Sequence, residues 1–429
     1  MPPAKNNADL VARSLASVWH PCTQMKHHEQ FPLVPVVRGE GVWLVDAEGR
    51  RYLDAVSSWW VNLFGHANAR INLAVKAQLD QIEHAMLAGF THEPVIELSE
   101  RLGALTGLGH AFYGSDGASA VEIALKMSFH FWRNSGMPGK QKFISLDGSY
   151  HGETLGALAV TDVAVFRDAY GPLLNNNLRV PFPGDDANAL QHLEALLSGR
   201  HDEIAALIVE PLVQGAAGMR MYPASYLTQA RALCDRYGVH LIADEIMTGF
   251  GRTGSMFACE QAGIRADFMC LSKGITGGYL PLSCVLCTDP IYAAFYDDDA
   301  ARGFLHSHSY TGSALSCRAA LATLDIFAAD DVIAANREKS ARLTARCAPI
   351  ISHPQVENFR NLGMIWAFEV GNTRPRFARE FFAAALRRGL LLRPIGSTVY
   401  FMPPYVVSDE EMALLVDGTC EVIGELAAS

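Results

Sequence analysis

"DFMCLSKGITGGYLPLS", residues 267–283, is an apolar run that ends at Leu271 and Ser272, then a single lysine, Lys273, then glycines. A lysine at a strand end is by itself an ordinary surface residue. This one has a counterpart upstream. In "VHLIADEIMTGFGRTG", residues 239–254, another apolar run delivers Asp244 and Glu245 at its carboxyl end. Asp244 and Lys273 lie 29 residues apart (273 minus 244). That spacing predicts two successive parallel strands joined by one helix, with both side chains at the same sheet edge. In open parallel sheets that edge is where ligands bind.

Working outward, "HAFYG", "KFISL", "AALIVEPL" and "PLSCVLC" are further short apolar segments, separated by helical patterns. Strands alternating with helices predict an α/β fold with a mostly parallel sheet covered on both faces. Residues 31–60 read instead as short strands with turns at Gly39, Gly41 and Gly49. Near the carboxyl end, "VIAANREKSARLTARC" and "RFAREFFAAALRRG" read as helices flanking the strands "MIWAFEV" and "LLLRP". The expected organisation is a small α+β domain built from both termini, residues 1–65 and 329–429, around a large domain of residues 66–328. Residues 172–189, "PLLNNNLRVPFPGDDANA", read as a long surface loop.

The 429 residues are 50% hydrophobic and 19% charged, a globular composition. A net charge of −10 repels phosphate backbones and anionic lipid, so neither nucleic acid nor membrane is expected as a partner. Nine cysteines, an odd number without framework spacing, fit a reducing cytoplasm. "MPPAKNNADLVARSL" lacks the apolar stretch of a signal peptide.

A strand-end carboxylate beside a strand-end lysine is what pyridoxal 5′-phosphate needs. Its aldehyde condenses with the amine, and the acid keeps its ring nitrogen protonated. "YGSDGASAVEIALKMSFHFW" supplies a phosphate cradle, small residues running directly into a helix. Ala118, Val121, Leu125, Phe129 and Trp132 fall on one face of that helix, and the amides of Gly117 and Ala118 open its amino end. The Asp116 side chain is expected to turn away from a phosphate. In "GSYHGET", Tyr150 can lay its ring on a cofactor and His151 can pack beneath it or donate to it. "SSWW", read as extended, sends Trp59 and Trp60 to opposite sides, one to the core and one to a pocket wall. Arg393, after an apolar strand, suits a substrate carboxylate.

Three patterns argue against other chemistries. "GFGRTG", residues 249–254, matches a dinucleotide fingerprint literally, but two acids precede it and four residues separate it from the strand. "CVLC" sits in a strand without a second pair, which predicts core cysteines. "HSH", His306 and His308, has no third ligand nearby, so no metal is expected.

Together "IADEIMTGFGRTG", "LSKGITGG", "SYHGET" and "SDGASAVEIALK" resemble the fold-type I, class III pyridoxal-phosphate aminotransferases over nearly the whole chain. The resemblance implies a Schiff-base lysine at Lys273, a pyridine partner at Asp244, phosphate-binding amides at Gly117 and Ala118, and a ring-facing aromatic at Tyr150. It implies that His308 and Ser309 reach the phosphate of a second subunit in a homodimer, with Ser307 touching substrate. Trp59 corresponds to a substrate-pocket wall, Arg393 to the carboxylate clamp with Tyr400 near it, and Arg252 to an active-site arginine. "WHPCTQM", "SSWW" and "RPIGSTVYFMPPY" are similar to members that aminate 8-amino-7-oxononanoate with S-adenosylmethionine, a step of biotin synthesis. Cys22 stands where many members have a tyrosine that stacks on the donor's adenine. "LHSHSYTGS" is more similar to relatives that take lysine as donor. The alternatives are thus lysine as donor, or a broader ω-amino acid:ketone transaminase.

Overall fold

A computed structural model describes residues 6–31, 33–184 and 188–427. Two compact units form. One is Arg70–Arg337; the other combines the amino-terminal part, up to Ala69, with the chain from Glu338 onward.

The unit Arg70–Arg337 is built on a seven-stranded sheet. Its strands lie in the order His110–Gly114, Ser283–Cys287, Phe268–Leu271, His240–Asp244, Ile204–Val209, Lys142–Leu146 and Leu178–Val180. Every neighbouring pair is parallel except those made by Ser283–Cys287, which runs antiparallel to both its neighbours. Ile204–Val209 and His240–Asp244 are buried at every position, which is why they read as unbroken apolar runs rather than alternating ones. The helix Gly117–Asn134 packs Val121, Ala124, Leu125 and Trp132 into the core against Ala206, Ile208, Ile242 and Cys270. Phe129, expected on this face, is exposed instead. Leu178–Val180 forms the edge strand inside the segment read as a loop, residues 172–189, of which 185–187 lie outside the described residues. Cys284 and Cys287 are buried in their strand as free thiols.

His240–Asp244 and Phe268–Leu271 are parallel neighbours, with Asp244 in register with Cys270. The connection between them differs from expectation. It holds one 3₁₀ turn, Ala258–Ala262, and no α-helix. Gly251 and Gly254 adopt φ of +89° and +95°, and Phe250 a φ of +58°, all incompatible with a right-handed helix. Buried Glu245 organises the loop instead, accepting from the Thr248 hydroxyl at 2.6 Å and the Cys259 amide at 2.8 Å. "GFGRTG" therefore opens no helix and offers a pyrophosphate no helix amino terminus.

In the second unit, Val36–Glu40, Trp43–Asp46, Arg51–Asp54 and Leu390–Leu391 form one sheet, and Val356–Leu362, Ile365–Val370 and Thr398–Phe401 another. The two ends of the chain share the first sheet, since Leu390–Leu391 pairs in parallel with Leu53 and Asp54. The helix Asn7–Ser17 is fastened by Asn7, which donates to Asp46 Oδ2 at 2.8 Å and accepts from the Ala47 amide. No helix among the described residues is long and apolar enough to cross a membrane.

Candidate active site

Lys273 emerges where the strand Phe268–Leu271 gives way to the 3₁₀ turn Lys273–Thr276. Its backbone is left-handed, φ +46°, a conformation that costs a non-glycine residue on the order of 1–3 kcal/mol. The glycines that follow serve the same bend: Gly277 and Gly278 hold φ of +64° and +88°. Burial pushes the Lys273 ammonium below its ordinary pKa, while the negative charges of Asp244 and Glu210 oppose that shift. A lysine so placed is readily uncharged, as a nucleophile or base must be.

Asp244 is fixed on both oxygens. Oδ2 lies 2.7 Å from His151 Nδ1 and Oδ1 accepts from the Ile246 amide at 3.2 Å. An ionised carboxylate only accepts, which assigns the shared proton to His151 Nδ1. His151 is itself anchored, its amide donating to Thr161 Oγ1 at 3.0 Å. Its ring partner is thus a protein acid. His151 Nε2 is buried, with no hydrogen-bond partner among the described residues.

Glu210, at the end of Ile204–Val209, escaped the sequence reading. It is wholly inside the protein and accepts from the Tyr150 amide at 2.9 Å and the Gly215 amide at 3.0 Å. Burial raises its pKa to about 7, with Asp244 adding to the rise and His151 opposing it. The only signal in the sequence was an acid closing a continuous apolar strand, the same signal that exposed Asp244. Tyr150 hangs from Glu210 by its backbone and from Glu153 by its hydroxyl, at 2.9 Å.

The candidate phosphate cradle lies at the amino end of Gly117–Asn134. Asp116 caps this helix, its Oδ1 taking the Ser119 amide at 2.9 Å and its Oδ2 the Ser119 hydroxyl at 3.0 Å. Its charge is thereby occupied, and among the described residues no side chain caps the Gly117 or Ala118 amide. Gly152 packs against Ala118 so closely that an added Cβ would stand 2.6 Å from the alanine's own. Beside Gly114, Ser283 Oγ is buried, with no hydrogen-bond partner among the described residues. These groups fit pyridoxal phosphate: open amides for a phosphate, an acid for a ring nitrogen, a depressed-pKa lysine for an aldehyde, and unpaired polar atoms nearby.

His308 precedes a turn that begins at Ser309 and is closed by the Thr311 amide and hydroxyl, both donating to the His308 carbonyl. His308 Nδ1 lies 3.4 Å from Ser115 Oγ and its Nε2 3.2 Å from His306 Nε2. Ser307 and Ser309 are exposed, whereas Arg252 is buried within its loop.

The other unit collects Cys22, Trp59, Arg393 and Tyr400. Ser57–Trp60 is not extended, contrary to expectation. It is a left-handed helical turn, with φ of +50°, +47°, +75° and +72° in succession. Left-handed helix costs L-residues roughly 1–2 kcal/mol each, so four in a row need outside support. The turn still separates the two tryptophans. Trp60 is buried and donates to the Tyr400 hydroxyl at 3.1 Å; Trp59 is 42% exposed. The Arg393 guanidinium lies over the Trp59 ring, 4.6 Å from its centroid, and donates to the Cys22 carbonyl at 3.3 Å. Burial raises Tyr400 to about 12, against the nearby Arg393 charge. Trp59, Arg393 and Cys22 line an apolar cavity of about 590 Å³ with Phe31, Phe382 and Leu391.

The model of the family described as aminotransferase class-III matches residues 23–423. An adenosylmethionine-8-amino-7-oxononanoate aminotransferase from Helicobacter pylori is 49% identical, covering 97% of this chain and 98% of its own. A crystal structure of the enzyme of that name from Methanocaldococcus jannaschii superposes with a TM-score of 0.94 at 35% identity, over 98% of this chain and all of that one. An amine transaminase from an uncultivated Pseudomonas species, in its PLP-bound form, gives 0.90 at 32% identity, over 96% and 99%.

Proposed function

Because the chain belongs to the class-III aminotransferase family, we propose that it moves an amino group from S-adenosylmethionine to the 7-keto group of 8-amino-7-oxononanoate. The product, 7,8-diaminononanoate, serves biotin synthesis. Full-length similarity to relatives named for these two substrates supports the choice. The observation that carries the chemistry is the geometry: Asp244 and Lys273 lie at the carboxyl ends of two parallel neighbouring strands.

Pyridoxal phosphate, when bound, supplies the aldehyde that receives the amino group and a ring that accepts the electrons freed at the substrate carbon. The protein does the rest. Lys273 Nζ, whose pKa burial lowers, would move the proton at the reacting carbons. Asp244, steadied by His151 and the Ile246 amide, holds a proton on the ring nitrogen. Gly117 and Ala118 amides receive the phosphate. Tyr150, positioned by Glu210 and Glu153, would lie against the ring. Arg393 takes the acceptor's carboxylate and Trp59 its aliphatic chain; Tyr400, Ser307, Arg252 and Cys22 complete the substrate contacts.

The chain acts as one half of a homodimer in the cytoplasm, with His308 and Ser309 directed to the second subunit's phosphate. Leu305 and Tyr310, large apolar residues 87% and 67% exposed on either side of them, support that reading. The test is direct. Purified protein with cofactor, S-adenosylmethionine and 8-amino-7-oxononanoate should yield 7,8-diaminononanoate by mass spectrometry. Product with lysine alone would reassign the donor, and no product with either donor would overturn the function.

A further inference from the structure

The left-handed turn Ser57–Trp60 raises the question of what holds it. Its backbone closes normally, Trp60 N donating to Val56 O at 2.8 Å and Val61 N to Ser57 O at 3.0 Å. Such bonds form equally well in a right-handed turn, so they do not select the hand. The selective contacts come from Asp54, whose side chain is fully buried. Oδ1 accepts from the Ser58 amide at 2.9 Å and Oδ2 from the Ser58 hydroxyl at 2.7 Å. Oδ2 also lies 2.9 Å from His66 Nε2.

The remaining atoms fix the proton positions. Asn62 Oδ1 accepts from the Gly65 amide, so Asn62 Nδ2 donates to His66 Nδ1 at 3.2 Å. The His66 proton is then on Nε2, aimed at Asp54. Asp54 thus receives three donors, two of them from Ser58 inside the left-handed turn. Ser57 adds a second tie, donating to the Met402 carbonyl at 2.7 Å. The next but one residue after Ser57 is Trp59, the platform under Arg393.

We propose that Asp54, through Ser58, is a positioning residue that keeps Ser57–Trp60 left-handed and so sets Trp59 beneath Arg393 for recognition of a carboxylate. The proposal rests on the reading of Arg393 as the acceptor's clamp. A right-handed turn would rotate the two indoles the opposite way, withdrawing Trp59 from the guanidinium or Trp60 from Tyr400. The contacts of Asp54 therefore bear on substrate affinity, although Asp54 touches no substrate.

The test compares 8-amino-7-oxononanoate with its methyl ester, which lacks the carboxylate. In Asp54→Ala, KM for the acid should rise roughly tenfold, with KM for the ester and kcat little changed. Ser58→Ala, a milder change, should move KM the same way by less. Adding Ser58→Gly to Asp54→Ala should recover most of the acid KM, because glycine accepts positive φ without support. A merely structural defect would be neither selective for the acid nor repaired by glycine. Equal effects on acid and ester, or none, would overturn the proposal. Fluorescence keeps it testable without turnover. The Trp59 signal, taken as the difference from Trp59→Phe, should become more accessible to acrylamide in Asp54→Ala and recover in the glycine double variant. An unchanged difference would overturn the proposal. Wild-type protein inactive on both acceptors would instead remove the functional reading and leave the fluorescence result to decide the turn.

Discussion

His151 Nδ1 stands 2.7 Å from Asp244 Oδ2, with both side chains out of solvent. The contact gives the acid a donor that is itself pinned by Thr161, so the carboxylate holds one orientation. On the proposed function, charge more than shape is what Asp244 should contribute. Asp244→Asn should preserve the fold and cofactor binding but lower turnover by roughly a hundred- to ten-thousand-fold, the usual weight of a proton-positioning group. Steady-state kinetics beside a cofactor titration check this; near-normal turnover would refute the role.

Glu210 makes stability depend on pH. Its native pKa is about 7, against an ordinary value of 4.5. Below the ordinary value both native and unfolded chains hold the proton and no penalty exists. As pH rises, the unfolded chain loses its proton first, so stability falls until the native pKa is passed. The loss from this group is on the order of 3 kcal/mol. Glu210→Gln should be less stable overall, because the Tyr150 and Gly215 amides each meet a different oxygen and the new NH2 would face one of these donors. Its apoprotein should nevertheless show a flatter decline between about pH 5 and about pH 8 in denaturant titrations. Parallel slopes would contradict the assignment.

Gly152 tests the cradle. A methyl there would stand 2.6 Å from the Ala118 Cβ, at a φ of +116°. Gly152→Ala should weaken cofactor binding at least roughly tenfold by displacing the first turn of Gly117–Asn134. Gly136→Ala is the control, since Gly136 also has positive φ but nothing within 4 Å of an added Cβ. Equal affinity for both variants would show that the crowding is harmless.

Arg393→Met keeps a long apolar stem over Trp59 and removes the charge. KM for 8-amino-7-oxononanoate should rise roughly ten- to a hundredfold, the worth of a charged hydrogen bond, with a smaller change in kcat. A fall in kcat alone would place Arg393 elsewhere in the reaction.

The parts of the site legible in the sequence were those written in strand ends. Asp244 and Lys273 close continuous apolar runs, and a parallel sheet brings such ends together whatever lies between them. That is why misjudging the connection as an α-helix did no harm to their placement. Glu210 obeys the same logic but carries no partner at a telling spacing, so nothing distinguished it from a cap. The left-handed turn was illegible for another reason. The hand proposed to rest on Asp54 comes from side-chain contacts to Ser58, whereas "SSWW" alone suits a strand equally well. Phe129 shows the limit of periodicity: it lies on the predicted stripe and is exposed, while Leu125 and Trp132 on the same stripe are buried.

Covalent capture at Lys273 is the most direct measurement. Cofactor-loaded protein is reduced with borohydride, digested and mapped by mass spectrometry. The expected result is one pyridoxyl adduct on the peptide containing Lys273, and none in Lys273→Ala, which should bind cofactor without turning over. An adduct on another lysine, or steady-state transamination by Lys273→Ala, would contradict it.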